Sequence, residues 1–102
     1  MLQIVFNEIS AAEISQLETL DQLDLLDAFR VTEEKLANLD GGEYAKFERA
    51  GNVLYRFRTQ EYRIYFGVKD KNVIVHRVLH KNTFSDSLPI SRHLLVFRQH
   101  GL

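Results

Sequence analysis

The alternation of apolar and polar residues changes period along the chain. Leu2-Gln3-Ile4-Val5-Phe6 places Leu2, Ile4 and Phe6 on one side of a short strand. The period then lengthens. Ser10-Ala11-Ala12-Glu13 has capping-box spacing, in which the serine accepts from a free helix N–H and the glutamate reaches back. Ile14, Leu17 and Leu20 follow at helical steps, and Asp21 or Asp24 marks a break before a second helix. In that helix Leu25, Leu26, Phe29, Leu36 and Leu39 form an apolar stripe, with the acids between them on a solvated face. Asp40-Gly41-Gly42 closes it, because glycine accepts the left-handed conformation of a helix end.

Glu43 to Asn52 is polar and reads as a loop or a short extra turn. Period two then takes over. Val53, Tyr55 and Phe57 alternate with Leu54, Arg56 and Arg58. Thr59-Gln60-Glu61 is a tight connection, Tyr62 to Val68 alternates again, and Lys69-Asp70-Lys71-Asn72 is a polar hairpin turn. Val73-Ile74-Val75-His76-Arg77-Val78-Leu79 is rich in β-branched residues and closes a three-strand meander. Past Asn82 the pattern becomes irregular; Leu94 to Phe97, after the single proline Pro89, fits helix or edge strand equally. The fold class expected is α+β: an N-terminal strand and a two-helix hairpin packed on an antiparallel sheet with the meander, in one domain over residues 1–102. The first strand must pair with the later ones to be stable.

Composition narrows the chemistry. The chain has 102 residues and no cysteine, so disulfides, thiolate metal sites and cysteine nucleophiles are excluded. The N-terminus lacks the basic and apolar regions of a signal peptide, and no stretch approaches the ~20 apolar residues of a membrane span. A cytoplasmic protein without membrane contact is expected. The net charge of −1 conceals a split. Residues 1–40 hold nine acids and two bases, net −7; residues 41–102 hold eleven bases and five acids, net +6. One side of the protein should attract polyanions and the other should not, unless the halves only attract each other.

Arg56 and Arg58 stand two apart on one strand and share a face; Arg63 enters the neighbouring strand. If Val53, Tyr55 and Phe57 face the helices, the arginines face away from them. Three guanidiniums on one surface repel unless an anion neutralises them, and a phosphate matches their planar donors. His80-Lys81-Asn82, at the end of the last strand, can reach the same face, where a histidine moves a proton and a lysine stabilises charge. His76 reads as a sheet-face residue. The four histidines lack metal-ligand spacing, so neither metal nor cofactor is assigned.

The runs Leu54-Tyr55-Arg56-Phe57-Arg58, Tyr62-Arg63-Ile64-Tyr65-Phe66 and Val73 to Lys81 resemble the RelE/ParE toxin superfamily of bacterial toxin–antitoxin systems. The resemblance covers nearly the whole chain. Its RelE branch implies a metal-independent endoribonuclease that cuts mRNA on the ribosome, neutralised by a small antitoxin protein. Carried over by position, Arg56 and Arg58 fall where that branch keeps basic residues on the second strand, Arg63 at the arginine next to the scissile phosphate, and Lys81, with His80, at the basic pair after the last strand. His80 would carry the proton, because arginine does not deprotonate. Lys46, Arg49 and Arg77 would extend the RNA-binding surface. Where many family members have a catalytic tyrosine in the tail, this chain has Phe84 and Ser85, and its helical half is acidic. The same resemblance leaves two alternatives: a catalytically degenerate binding protein of this fold, and a ParE-like gyrase inhibitor.

Overall fold

A computed structural model describes residues 2–82. The phenylalanine 84 and serine 85 positions and the apolar segment near residue 94 lie outside the described residues. The order is β1 (Gln3–Phe6), α1 (Glu8–Ser15), α2 (Thr19–Ala28), α3 (Glu33–Ala37), β2 (Tyr44–Arg49), β3 (Asn52–Arg58), β4 (Tyr62–Lys69) and β5 (Asn72–His80). The α+β class holds, with four differences. The break between the first two helices falls at residues 16–18, so Asp21 and Asp24 lie inside α2 rather than marking its start. The polar stretch read as a loop is strand β2, so the meander has four strands. The sheet runs β1-β5-β4-β3-β2, and β1 lies parallel to β5, which makes it mixed rather than antiparallel. The long second helix is two helices, interrupted at residues 29–32.

The local chemistry explains these breaks. Asn7, not Ser10, caps α1: its Oδ1 accepts from Ser10 N at 2.7 Å, and Ser10 Oγ accepts from Asn7 N at 3.1 Å. The fully buried Ser10 hydroxyl also donates to Val75 O of β5 at 2.8 Å, which ties α1 to the sheet. Thr32 caps α3 by accepting from Lys35 N. Phe29 is therefore free to turn inward between the two helices. Two-residue turns join the strands: Ala50-Gly51 and Asp70-Lys71 all have positive φ, the twist that hairpin turns require.

One layer of helices covers one face of the sheet. Phe29 meets Phe57 and Phe66, each at 5.3 Å between ring centroids, and Tyr44 packs on Phe57 at 4.9 Å. Ile64, Val73, Val75 and Val78 fill the remaining core. Tyr55 and Phe57 face the helices, as the alternation implies; Val53, at the far end of β3, is exposed.

Glu13, expected in a capping box, does something else. Beyond the short β1, the edge of β5 would present bare N–H groups. Glu13 Oε1 accepts from Val78 N at 2.7 Å, while Oε2 accepts from Arg77 Nε at 2.8 Å and Nη2 at 2.6 Å. Both side chains are only 20% exposed. Removing the carboxylate strands a cation and an edge donor together. Glu13→Ala should cost about 2–3 kcal/mol of stability in urea denaturation. Glu13→Gln keeps one acceptor for the strand edge and should cost less.

β5 also carries a bulge. Tyr65 pairs with Arg77, but the next residue of β4, Phe66, pairs with Val75, so His76 is the extra residue of the bulge. The extra residue inverts the side-chain alternation of the second half of β5. Val73 and Val75 are buried in the core, and so is Val78 rather than Arg77. His76 lies against Gly67, where an added Cβ would sit 3.3 Å from its Nε2. Burial lowers its pKa below the ordinary 6.5. The unfolded chain then binds a proton that the folded one refuses. The His76 contribution is therefore fully present above about pH 6.5 and is lost as the pH falls through the lowered value. Thermal melts of the protein and of His76→Gln should differ in slope below that pH.

Candidate functional site

The face of the sheet opposite the helices gathers the arginines. β3 and β4 pair so that Arg58 lies directly across from Arg63, and Arg56 directly across from Tyr65. The hairpin thus brings Arg58, not Arg56, nearest to Arg63. Like charges placed opposite each other oppose sheet formation. They are tolerable where solvent, or an anionic ligand, lies over them.

Each guanidinium is held differently. Arg63 Nη1 donates to Thr59 O at 2.8 Å and Tyr62 O at 3.0 Å, so the connecting turn fixes its position. Arg58 is exposed, and its backbone N donates to Glu43 O at 2.9 Å, which joins the ends of β3 and β2. Arg56 is half-buried; it donates to Gly42 O at 3.4 Å and lies over the Phe47 ring at 5.8 Å. Its Nε is buried without a hydrogen-bond partner among the described residues. Burial lowers the Arg56 pKa, Tyr65 opposes that shift, and Arg58 and Arg63 add to it. The three charges therefore sense one another. Tyr65 lies beneath them: burial pushes its hydroxyl to about 12, against the pull of Arg56 and Arg63.

A shallow cleft of about 420 Å³ opens at the end of this surface, lined by Glu43, Arg58, Thr59, Gln60 and Arg63. Two guanidiniums, a hydroxyl, an amide and one carboxylate converge there. Among these lining residues, Glu43 supplies the carboxylate. It escaped the sequence reading because nothing in the order of residues shows that residue 43 meets residues 58 and 63. The Gly41-Gly42 break and the pairing of Tyr44 with Phe57 bring it there.

The other expected residues lie elsewhere. His80 pairs with Tyr62 on the helix-facing side; its ring stands edge-on to Tyr62 at 5.5 Å, and its Nε2 lies 3.2 Å from Glu61 Oε1. The bulge at His76 is the reason: without it, alternation would point His80 toward the arginines. Lys81 sits just past β5, with Nζ 3.7 Å from Glu61 Oε2 and its N donating to Glu61 O. Neither residue lines the arginine cleft. Arg77 is on the arginine face beside Tyr65 but is engaged by Glu13. Lys46 pairs with Tyr55, a core-side position, and bridges Glu48 at 3.3 Å. Arg49 ends β2 opposite Asn52, roughly 20 Å along β3 from Arg58 at strand rise. No group of three or more metal-ligating side chains occurs among the described residues.

No protein-family model matches the chain, and no curated protein sequence matches it. Solved structures do. A chain of the toxin–antitoxin complex RelBE2 from Mycobacterium tuberculosis superposes with a TM-score of 0.60 at 16% identity, over 78% of this chain and 96% of that one. A chain of the archaeal RelE–RelB complex from Pyrococcus horikoshii OT3 gives 0.61 at 18%, over 78% and 94%. A chain of the RelB–RelE antitoxin–toxin complex from Methanococcus jannaschii gives 0.54 at 21%, over 83% and 99%. At these identities the likeness concerns architecture: a single strand, three helices and a four-strand meander in one five-stranded sheet. The protein has a RelE-like fold.

Proposed function

We propose that this protein is a RelE-like toxin: a cytoplasmic, metal-independent endoribonuclease that cuts mRNA on the ribosome and is restrained by a small antitoxin protein. The observation that carries the reading is the direct cross-strand pairing of Arg58 with Arg63 on the open sheet face, beside Arg56. The RelE-like architecture, shared with chains from complexes of a toxin with its antitoxin, supports it.

In this mechanism a phosphodiester rests in the cleft between Arg58 and Arg63. The Glu43 carboxylate takes the proton from the ribose 2′-hydroxyl. The freed oxygen attacks the adjacent phosphorus, and the 5′-oxygen of the next nucleotide leaves with a proton from solvent. The products are a 2′,3′-cyclic phosphate and a 5′-hydroxyl. The guanidiniums hold the extra negative charge of the pentacoordinate phosphorus. Arg56, half-buried over the Phe47 ring, adds its charge to the local field. Lys81, just past the end of β5, is assigned to more distant phosphates. His80 and Lys46 occupy the helix-facing side of the sheet, and Arg77 serves the strand edge.

The test is expression in bacteria with transcript mapping. Growth arrest with cuts in translated mRNA is expected, and unaltered growth at high expression contradicts the reading. Glu43→Gln should lower the cleavage rate by about 10²–10⁴-fold, the usual contribution of a positioned general base. If Glu43→Gln is as toxic as the parent and mRNA stays whole, the open face is a binding surface without catalysis. A supercoiling assay with purified gyrase then decides the ParE-like alternative.

A further inference from the structure

The α2 helix carries a pattern that the core among the described residues does not use. Its sequence repeats a Leu-Asp pair at steps of three: Leu20-Asp21, Leu23-Asp24 and Leu26-Asp27. In a helix, three-residue steps lie on neighbouring positions of one face, so the leucines form a ridge with the aspartates running alongside it. The core takes Leu25 instead, followed by Phe29. The ridge faces solvent: Leu20 is 74% exposed, Leu23 58% and Leu26 39%.

This pattern works against the helix that bears it. Aspartate is a poor helix former in helix interiors. Asp24 and Asp27 lie in the C-terminal half, toward the negative end of the helix dipole, and the last turn has no basic residue. The Asp27–Arg30 pair at 3.0 Å is exposed on both sides, and such pairs contribute little. Local rules broken without internal compensation mark a surface kept for something outside the fold.

A second feature adjoins the ridge. Between α2 and the turn at residues 59–61 runs a cleft of about 350 Å³, floored by Leu25, Ala28 and Tyr62 and walled by Asp21, Asp24 and Glu61. Burial raises the pKa of the Tyr62 hydroxyl, and the charges of Asp21, Glu61 and Glu18 raise it further. The cleft is thus apolar below and anionic at its rim.

We propose that the outward face of α2 docks a cationic amphipathic helix of a partner protein. Its apolar side covers Leu20 and Leu23, and its lysine or arginine heads meet Asp21, Asp24 and Glu61. The sign of the charge selects the partner: nine acids against two bases over residues 1–40 repel nucleic acid and anionic lipid and attract a basic segment. A ridge at three-residue spacing fits the four-residue grooves of a second helix at a shallow crossing angle. The helices cover one face of the sheet and the arginines occupy the other, so the two surfaces can be filled together. This inference does not rest on the nuclease reading.

The test uses the full chain and a fluorescein-labelled helical peptide of leucine and lysine with 3.6-residue amphipathic spacing, followed by anisotropy. A peptide with glutamate in place of each lysine is the control. The lysine peptide should bind at least about tenfold more tightly than the glutamate peptide. Leu20→Ser/Leu23→Ser and Asp21→Asn/Asp24→Asn should each weaken it by about tenfold or more, since an interface anchor is lost in both. Arg58→Ala/Arg63→Ala should leave it unchanged. Equal binding of the two peptides overturns the proposal, and so does a leucine variant that binds as the parent does, because attraction would then be unspecific. Sedimentation that finds a dimer dissolved by Leu20→Ser/Leu23→Ser also overturns it, by assigning the ridge to a second copy of this chain.

Discussion

Arg63→Ala should abolish toxicity and lower ribosome-dependent mRNA cleavage by about 10²–10³-fold, the usual loss when one fixed donor to a developing anion is removed. Arg63 should outweigh its neighbours because it is the arginine held in place beforehand. Its Nη1 donates to Thr59 O and Tyr62 O, which fixes the guanidinium at the lining of the cleft. Arg58 must give up side-chain freedom when an anion arrives, so Arg58→Ala should cost less. Arg63→Lys keeps the charge but loses the fork, and should recover only a small part of the rate. The folded state should be nearly untouched, which circular dichroism would verify. Repulsion from Arg58 even predicts that Arg63→Ala slightly stabilises the protein.

The second large effect concerns stability. Phe66 is fully buried and lies within 5.3 Å of Phe29, 5.4 Å of Tyr55 and 6.4 Å of Tyr44, between ring centroids. Its ring therefore joins the helical layer to β2, β3 and β4. Phe66→Ala should cost about 3–5 kcal/mol, combining lost transfer energy with an unfilled cavity. For a domain of this size total stability is about 5–15 kcal/mol, so the variant should be near its threshold. The melting temperature should fall by about 4–8 °C per kcal/mol, readable by differential scanning calorimetry. Phe66→Leu refills most of the space and should cost much less.

Sequence patterns reached the architecture because each major element had a strong period. β3 and β4 alternate cleanly, and the alternation of Val53, Tyr55 and Phe57 with the arginines implies an arginine face opposite the helices. What was missed depends on single residues. β2 looks like a loop because only Tyr44 turns into the core, while Lys46, Phe47 and Glu48 are exposed. Its one legible sign was Ala50-Gly51 as a hairpin turn. The division of the second helix was legible in Thr32-Glu33-Glu34, a capping residue followed by acids suited to a helix start.

The histidine placement was not legible at all. The run from Val73 to Leu79 is apolar enough on both faces that a bulge leaves no mark in its alternation. That one residue moves His80 to the helix side and Arg77 to the arginine side. Glu43 was hidden for the opposite reason. It stands in a stretch without period, and only the closing of β2 on β3 brings it beside Arg58. A cleft assembled from three strand ends is a property of register, which hairpin geometry fixes and residue order alone does not.

The most direct measurement uses purified protein and ribosomes programmed with a 5′-labelled mRNA, with products resolved on a sequencing gel. Discrete cuts in the ribosome-bound transcript, ending in 2′,3′-cyclic phosphates and lost together in Arg58→Ala/Arg63→Ala, are expected. Intact mRNA at a molar excess of protein over ribosomes, or cuts that persist in the double variant, would contradict the assignment of the arginine face to phosphodiester cleavage.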